Sequence, residues 1–250
     1  MTEHPGLAGH GRRPPAVIRQ ALRLMAVLVP LAMAASWFLA EGAGAGQAAF
    51  LAGGLCLLGG AAVLWGLRTE FHPHDRLGLA NGITLTRAAG IAALAGLLAT
   101  PLGEAGWTLA VVAAGLLALD GVDGWAARRS GLASRFGARF DMETDVIFAL
   151  VLALLAWQAD KAGLWFVLLG LLRPLYLAAA TLWPALRRPL PPSRRRRATA
   201  GLQMAGQVAV LAPVLPPPES TVVAGLLLVG VALSFAVDIR WQIRQGRPHP

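Results

Sequence analysis

The sequence predicts an all-α fold, a polytopic membrane bundle of about eight transmembrane helices. Of the 250 residues, 56% are hydrophobic and only 14% are charged. Several apolar stretches reach the roughly 20 residues that a helix needs to cross a bilayer core. Only helices or closed barrels satisfy the backbone in lipid, and the alternating strand pattern of a barrel is absent from the sequence. This composition excludes an ordinary soluble enzyme, a disordered chain and, with one cysteine, a disulfide-stapled secreted domain.

Apolar runs bounded by charged or turn residues define the predicted spans. Gly, Ala and Leu dominate these runs, and small residues let neighbouring membrane helices approach closely. The spans are residues 22–40, 47–67, 79–101, 105–127, 141–159, 162–184, 199–216 and 221–238. A signal peptide is the competing interpretation of the first span, because small residues follow it at 40–45.

The arginines predict which loops face the cytoplasm. The net charge is +9, and every basic residue except Lys161 is an arginine. Outside the spans, arginines occur before the first span and after each even-numbered one. In the loops after the odd-numbered spans, Lys161 is the single basic residue. By the positive-inside rule both termini are cytoplasmic, which requires an even number of spans. Because the membrane explains the positive charge, we expect no nucleic-acid partner.

Four aspartates lie near the predicted cytoplasmic boundary. Asp120 and Asp123 are three residues apart at the end of the fourth span. Asp141 and Asp145 are four residues apart at the start of the fifth, so each pair shares a helical face. Carboxylates that converge at a membrane need a counter-charge, and Mg²⁺ or Mn²⁺ prefers such oxygen ligands. A proton or ion pathway and structural pairing with arginines are the alternatives that the residues leave open.

Zinc is a poorer candidate for this site. Cys56 is isolated in an apolar span, and His72 and His74 form a short pair in a loop without partners at zinc-ligand spacing. We expect both histidines to be solvated.

The segment between the two aspartate pairs favours a phosphate ligand. Small residues there allow a ligand to approach the backbone, and arginines offer permanently charged forks that suit phosphate oxygens. Arg128 follows Asp123 by about one turn and shares its face if the helix continues. Paired divalent ions stabilise displacement at phosphorus.

Together these residues form the pattern D-x-x-D-G-x-x-A-R-x8-G-x3-D-x3-D. The pattern resembles the signature of the CDP-alcohol phosphatidyltransferase family at every position, and the subtype it is similar to is phosphatidylglycerophosphate synthase. The matching residues are Asp120, Asp123, Gly124, Ala127, Arg128, Gly137, Asp141 and Asp145. Upstream, Asn81, Thr84 and Arg87 resemble the N-x-x-T-x-x-R run that opens the first conserved helix of many members.

The resemblance implies an integral membrane enzyme of phospholipid biosynthesis. It would transfer the phosphatidyl group of CDP-diacylglycerol, or a similar CDP-linked lipid, to a small alcohol and release CMP. Two ions, Mg²⁺ or Mn²⁺, would bind to Asp120, Asp123, Asp141 and Asp145, with Asp145 also the general base. The nucleotide-binding residues carried over by position are Gly124, Ala127, Arg128 and Gly137, joined by Asn81, Thr84 and Arg87.

The resemblance also implies a domain division and a location. Residues 79–250 correspond to the six-helix family core, and residues 1–78 to a cytoplasmic segment and two additional transmembrane helices. The active site would face the cytoplasm at a bacterial-type inner (cell) membrane, and a homodimer is consistent with the family.

The acceptor alcohol depends on the later helices. Arg173 lies within the sixth span, where a charge needs a partner. With the run Arg194–Arg197 it would hold an acceptor phosphate, as in family members that use glycerol 3-phosphate or inositol phosphate. Structurally, Arg173 would pair with an aspartate and the run would anchor a loop. Glycerol 3-phosphate is the first expectation, inositol phosphate the second and a neutral or zwitterionic alcohol the third.

A small ion-coupled transporter and a structural membrane subunit are the alternatives from other classes. Transporters place charges near the bilayer midplane between two related halves. Here the aspartates lie at the boundary, and no repeat relates two halves of the sequence, so the enzyme is favoured.

Overall fold

The computed structural model describes residues 15–40, 42–70, 72–102, 106–130, 132 and 134–245, with backbone alone at helical residues 15, 43, 123 and 125–130. These residues form eight α-helices and no strand, which confirms the predicted all-α fold. Each helix overlaps one predicted span. The helices are α1 (Pro15–Leu39), α2 (Ala45–Thr69), α3 (Leu79–Gly96), α4 (Trp107–Ser130), α5 (Arg135–Gln158), α6 (Leu168–Leu182), α7 (Arg194–Leu211) and α8 (Glu219–Arg244).

Five stretches of the described residues are long and apolar enough to cross a membrane. They are Ala16–Leu39, Ala45–Thr69, Leu79–Ala99, Leu164–Leu182 and Glu219–Arg244. In α4 the apolar part is shorter, Trp107–Val122. Charged residues in the first turns of α5 and α7 dilute the apolar character of these two helices. The chain is thus an integral membrane protein, and a total of eight crossings stays a prediction.

The start of α5 differs from the predicted span. The apolar run begins at Asp141, but α5 begins at Arg135, because Ser134 caps it: the Ser134 Oγ accepts a hydrogen bond of 3.0 Å from the Gly137 N–H. Asp141 and Asp145 therefore lie in the second and third turns of the helix. A cap at Ser193 likewise brings the arginine run 194–197 into α7.

Two apolar clusters form the core of the described residues. The larger joins the start of α2 and α3 through α8 around Phe148, Leu152 and Phe166, which are fully buried. The smaller packs α1 and α2 against α3 and also includes Phe136 of α5. Both clusters include residues of α2, α3 and α5, and α3 packs against the N-terminal pair as well as against α4 and α5.

The contacts of Lys161 explain why a basic residue occurs in a loop predicted to lie on the non-cytoplasmic side. Its side chain is 8% exposed, and Nζ donates to the carbonyl oxygens of Leu215 at 3.0 Å and Ala212 at 3.4 Å. The Lys161 carbonyl in turn accepts from Ser220 Oγ at 2.7 Å. Lys161 therefore joins the α5–α6 connection to the α7–α8 connection and has a structural role.

Replacement of this lysine tests that role. Lys161→Met keeps the apolar stem but leaves two carbonyls without their charged donor, and we expect a loss of about 1–3 kcal/mol in the free energy of unfolding. Thermal unfolding in detergent measures it. The control is Asp160→Asn at the neighbouring exposed position, where φ is 54°, a value that asparagine also tolerates. Equal melting temperatures for wild type and Lys161→Met would contradict the assignment.

Candidate active site

Arg87 lies at the meeting point of α3, α4 and α5. Its side chain is 1% exposed, and its Nη1 lies 2.8 Å from Asp120 Oδ1 and 2.9 Å from Asp141 Oδ1. Its Nη2 lies 2.8 Å from Asp145 Oδ1. The planar, permanently charged guanidinium thus binds three carboxylates from two other helices at once. A buried cation in this position holds the three helices in one relative orientation.

The three carboxylates remain accessible on their other side. Their side chains are 36% exposed in Asp120 and Asp145 and 42% in Asp141. Oxygen atoms from all three lie within 4.8 Å of one another, and no other such metal-ligand group occurs among the described residues. One guanidinium neutralises one of three negative charges, so a further cation would relieve the remaining repulsion. Hard carboxylate oxygens at this spacing fit Mg²⁺ or Mn²⁺.

Of the four aspartates predicted as metal ligands, the structure brings together Asp120, Asp141 and Asp145. The side chains of Asp123, Ala127 and Arg128 lie outside the described residues, although the helical backbone of α4 runs through these positions to Ser130. Gly124 lies in the same turn and is half-buried.

Asn81 and Thr84 are buried on the same helix as Arg87. The Asn81 Nδ2 donates to the Leu77 carbonyl at 2.6 Å, and the Thr84 Oγ1 donates to the Ala80 carbonyl at 3.0 Å. Their exposures are 6% and 3%, so the structure places both inside the helix bundle.

Gly137 allows α3 and α5 to approach closely. A β-carbon at this position would lie 2.7 Å from Asn81 Oδ1 and 3.3 Å from Ser134 Oγ, closer than side-chain carbons pack. Gly137, Asp141 and Asp145 are spaced by four residues and share one face of α5. The glycine of the sequence pattern therefore has a packing role: it brings the two aspartates within reach of Arg87.

Arg173 lies beside α5, the helix that bears Asp141 and Asp145. Its Nη1 donates to the Met142 carbonyl at 3.4 Å and lies 3.8 Å from Glu143 Oε1, and its Nη2 contacts Met142 Sδ. Arg173 also lines a cavity of about 250 Å³ between α6, α7 and α8. The polar residues of this cavity are Arg173, Tyr176, Arg196, Thr199, Gln203, Ser234 and Asp238.

Asp238 of α8 is a partner that the sequence analysis missed. Its carboxylate accepts from Arg195 Nη2 at 2.5 Å and from Arg196 Nη1 at 3.3 Å. Two members of the arginine run are thus tied to α8. The available signal was a single aspartate at the end of an otherwise apolar span, on the side predicted to hold the arginines.

The expectation that His72 is solvated is wrong. His72 is 5% exposed, with Nδ1 3.0 Å from Ser134 Oγ and Nε2 3.0 Å from the Arg76 carbonyl. The loop after α2 folds onto the start of α5 and buries the ring, a long-range contact that local sequence does not contain. His74 is half-buried, with its ring centroid 5.5 Å from that of His72.

The family model described as CDP-alcohol phosphatidyltransferase matches residues 77–237, which is more than half of the chain. The chain belongs to this family. Comparison with curated proteins and with solved structures gave no match. The matched residues begin just before α3 and include Arg87, the four predicted metal ligands and every residue of the cavity except Asp238. The resemblance read from the sequence is therefore confirmed at the level of the family.

CDP-alcohol phosphatidyltransferases are membrane-embedded transferases that act on a CDP-alcohol and an alcohol acceptor. The family is typically dependent on divalent metals, and the three carboxylates provide a donor set for one. The transferase, phospholipid-biosynthesis and membrane assignments made from the sequence hold.

The close approach at Gly137 predicts a cost for a single methyl group. We expect Gly137→Ala to lower the melting temperature and to reduce transfer activity, because Asn81 is buried and bonded to Leu77 and cannot move aside cheaply. The control is Gly115→Ala in α4, where nothing lies within 4 Å of the new carbon. That change should be neutral or stabilise by up to about 1 kcal/mol. Thermal unfolding and CMP release measure both variants, and equal behaviour would refute the packing role.

Replacement of Arg87 should destabilise the protein most when no divalent metal is bound. Arg87→Gln leaves three carboxylates without their buried counter-charge, and we expect about 3–5 kcal/mol of destabilisation. Mn²⁺ should raise the melting temperature more in this variant than in wild type. Arg139→Gln is the control, because Arg139 is 66% exposed and its pair with Glu70 is worth at most about 1 kcal/mol. An equal response of both variants to Mn²⁺ would speak against the carboxylates as a cation site.

Proposed function

We propose that this transferase moves the phosphatidyl group of CDP-diacylglycerol, or of a similar CDP-linked lipid, to glycerol 3-phosphate and releases CMP. The observation that carries the proposal is the cavity between α6, α7 and α8, which Arg173 and Arg196 line. One of its lining residues, Arg173, also reaches the Met142 carbonyl and Glu143 of α5, the helix that bears Asp141 and Asp145.

The charges around the cavity favour a phosphorylated acceptor. Arg196 shares Asp238 with Arg195, whereas Arg173 has a carboxylate partner only at 3.8 Å, in the exposed Glu143. Arg173 is therefore the cation best placed to take a phosphate, with Thr199 and Gln203 as further donors. The cavity volume, about 250 Å³, lies below the roughly 300–1,000 Å³ of sites for drug-sized ligands and favours glycerol 3-phosphate over inositol phosphate.

In the proposed reaction the acceptor hydroxyl attacks the phosphorus that carries the diacylglycerol. A new oxygen–phosphorus bond forms, the bond between this phosphorus and the bridging oxygen breaks, and CMP leaves with that oxygen. Asp145 takes the hydroxyl proton, since a neutral hydroxyl is a poor nucleophile and a carboxylate at this position is a suitable base. Arg87 holds the Asp145 carboxylate from below and leaves its other side accessible.

Asp120, Asp123, Asp141 and Asp145 would hold two divalent ions, Mg²⁺ or Mn²⁺. Such ions would neutralise the diphosphate and the charge that develops on the departing CMP. The proposed nucleotide contacts are Gly124, Ala127 and Arg128 on the last turns of α4. Arg128 would add a fixed fork for phosphate oxygens.

The proposal includes an orientation and a division of the chain. The carboxylates lie near the end of α4 and the start of α5. The arginines lie at equivalent ends: Arg139 near the start of α5, Arg187 after α6 and the run 194–197 at the start of α7. By the positive-inside rule, the proposed site is at the cytoplasmic face of a bacterial-type inner membrane. Residues 79–250 would form the catalytic core and residues 1–78 an N-terminal addition. Family membership supports this enzyme over the ion-coupled transporter.

An acceptor panel tests the substrate assignment. Purified protein is incubated with CDP-diacylglycerol, Mn²⁺ and, in turn, glycerol 3-phosphate, inositol phosphate, glycerol, inositol and serine, and CMP release is measured. We expect release with glycerol 3-phosphate. Arg173→Ala should raise KM for this acceptor about 10–100-fold, since a charge-assisted hydrogen bond is lost, with KM for the lipid unchanged. The control is Arg240→Ala at an exposed position of α8.

Other outcomes of the panel reassign the acceptor. Release with inositol phosphate alone would keep the phosphate site and change the substrate. Release only with unphosphorylated alcohols, unaffected by Arg173→Ala, would refute the phosphate role of Arg173.

Metal removal tests the carboxylate roles. A chelator should abolish CMP release, and Mg²⁺ or Mn²⁺ should restore it. Asp120→Asn and Asp145→Asn should each lower kcat by at least about 100-fold, because each removes a charged ligand and the second also removes the base. Full activity of Asp145→Asn would exclude Asp145 as the base.

A further inference from the structure

The loop between α2 and α3 contacts the first turn of α5 through one buried histidine. In this α2–α3 loop, defined as Glu70 and residues 72–78, His72 is 5% exposed. Its Nε2 lies 3.0 Å from the Arg76 carbonyl, which can only accept a hydrogen bond, so Nε2 carries a proton. Its Nδ1 lies 3.0 Å from Ser134 Oγ and accepts the serine hydroxyl in the neutral ring.

Ser134 passes this contact to the backbone of α5. As the N-cap it accepts from the Gly137 N–H at 3.0 Å. A chain of hydrogen bonds therefore runs from Gly137 through Ser134 and His72 to the Arg76 carbonyl, with one donor and one acceptor at each link. Such chains polarise their members and hold each group more firmly than an isolated bond.

The first turn of α5 determines where the two aspartates lie. Gly137 is one turn before Asp141 and two turns before Asp145, on the same helical face. This face meets α3 at Asn81, where a β-carbon on Gly137 would be 2.7 Å from Oδ1. A shift of Ser134 would move the end of the helix that bears the reacting carboxylates.

Three further contacts join the start of α5 to the end of α2 and to the α2–α3 loop. Phe136 is 3% exposed, and a β-carbon on Gly66 of α2 would lie 2.9 Å from its Cε2. The His72 ring packs edge-on against Phe136 with centroids 5.8 Å apart, and Glu70 pairs with Arg139 at 2.5 Å. Gly66, Glu70 and His72 all precede the residues 77–237 that match the family.

We propose that His72 is a positioning residue for phosphatidyl transfer, which acts through Ser134 on the placement of Asp141 and Asp145. The proposal rests on the proposed function for its kinetic test. It goes beyond that function because it gives α2 and the α2–α3 loop a part in the active site.

The first experiment needs neither substrate nor metal. Hydrogen exchange, read by mass spectrometry, follows the amides of residues 135–138 in the full chain in detergent. We expect exchange there to be about 5–10-fold faster in His72→Leu and in Ser134→Ala, the change that loss of an N-cap produces. Peptides from α8 should exchange as in wild type. The control is Asp75→Asn, an exposed position in the same loop, with no change expected.

The second experiment separates positioning from binding. In CMP release from CDP-diacylglycerol, His72→Leu should lower kcat about 10–100-fold and raise the Mn²⁺ concentration for half-maximal rate, because a shifted first turn of α5 misplaces Asp141 and Asp145. KM for the lipid should stay within twofold of wild type. His72→Asn keeps an acceptor near the Nδ1 position and should retain most of kcat. This variant also shows whether a loss in His72→Leu comes from misfolding.

A double variant tests the route through Ser134. If His72 acts through the serine, His72→Leu with Ser134→Ala is no slower than Ser134→Ala alone, whereas independent effects multiply. Multiplied losses, a change in KM alone, or wild-type exchange at residues 135–138 in His72→Leu would each overturn the proposal. If wild type releases no CMP, the proposed function fails, and the exchange experiment still decides whether His72 holds α5.

Discussion

The interaction on which the rest of the structure depends is the binding of three carboxylates by Arg87. A guanidinium that is 1% exposed cannot remain without counter-charges, and three aspartates this close cannot remain without a cation. Each side therefore requires the other. The contact fixes the rotation of α4 and α5 about α3, because a turn of either helix would remove its carboxylate from Arg87. The small residue at Gly137 and the buried Asn81 are the packing consequences of that approach.

The contacts divide the arginines around the cavity into two groups. Positive-inside anchoring accounts for the run Arg194–Arg197 but not for Arg173, which lies within the sixth predicted span. In the structure Arg195 and Arg196 bind Asp238 and hold α7 to α8. Arg173 instead lies beside α5 with Glu143 at 3.8 Å and lines the cavity. The paired Arg195 and Arg196 therefore stabilise the packing of α7 on α8, whereas the loosely paired Arg173 is available to a ligand. The same distinction identifies Lys161, on the other side of the bundle, as a structural residue.

Local patterns predicted much of this, and the rest depends on long-range contacts. Apolar runs predicted the eight helices, and the spacing of the aspartates predicted that Asp120, Asp141 and Asp145 would meet. The family pattern included Arg87 but gave no reason for it to bind those carboxylates, 33 to 58 residues away along the chain. The burial of His72 and the pairing of Asp238 were missed for the same reason. In each case the partner lies on another helix, beyond the reach of periodicity or hydropathy.

The start of the family match separates α1 and α2 from the other helices, but the packing does not. The family match begins at residue 77, yet the smaller apolar cluster joins α1 and α2 to α3 and to Phe136 of α5. The buried Arg87 lies on α3, one of the helices that both clusters share, and the turn that leads to Asp141 packs against Gly66 and His72. The geometry of the carboxylate site therefore depends on the packing of both apolar clusters. Both α1 and α2 pack on α3, the helix that bears Arg87, and α2 also contacts α5, the helix that bears Asp141 and Asp145.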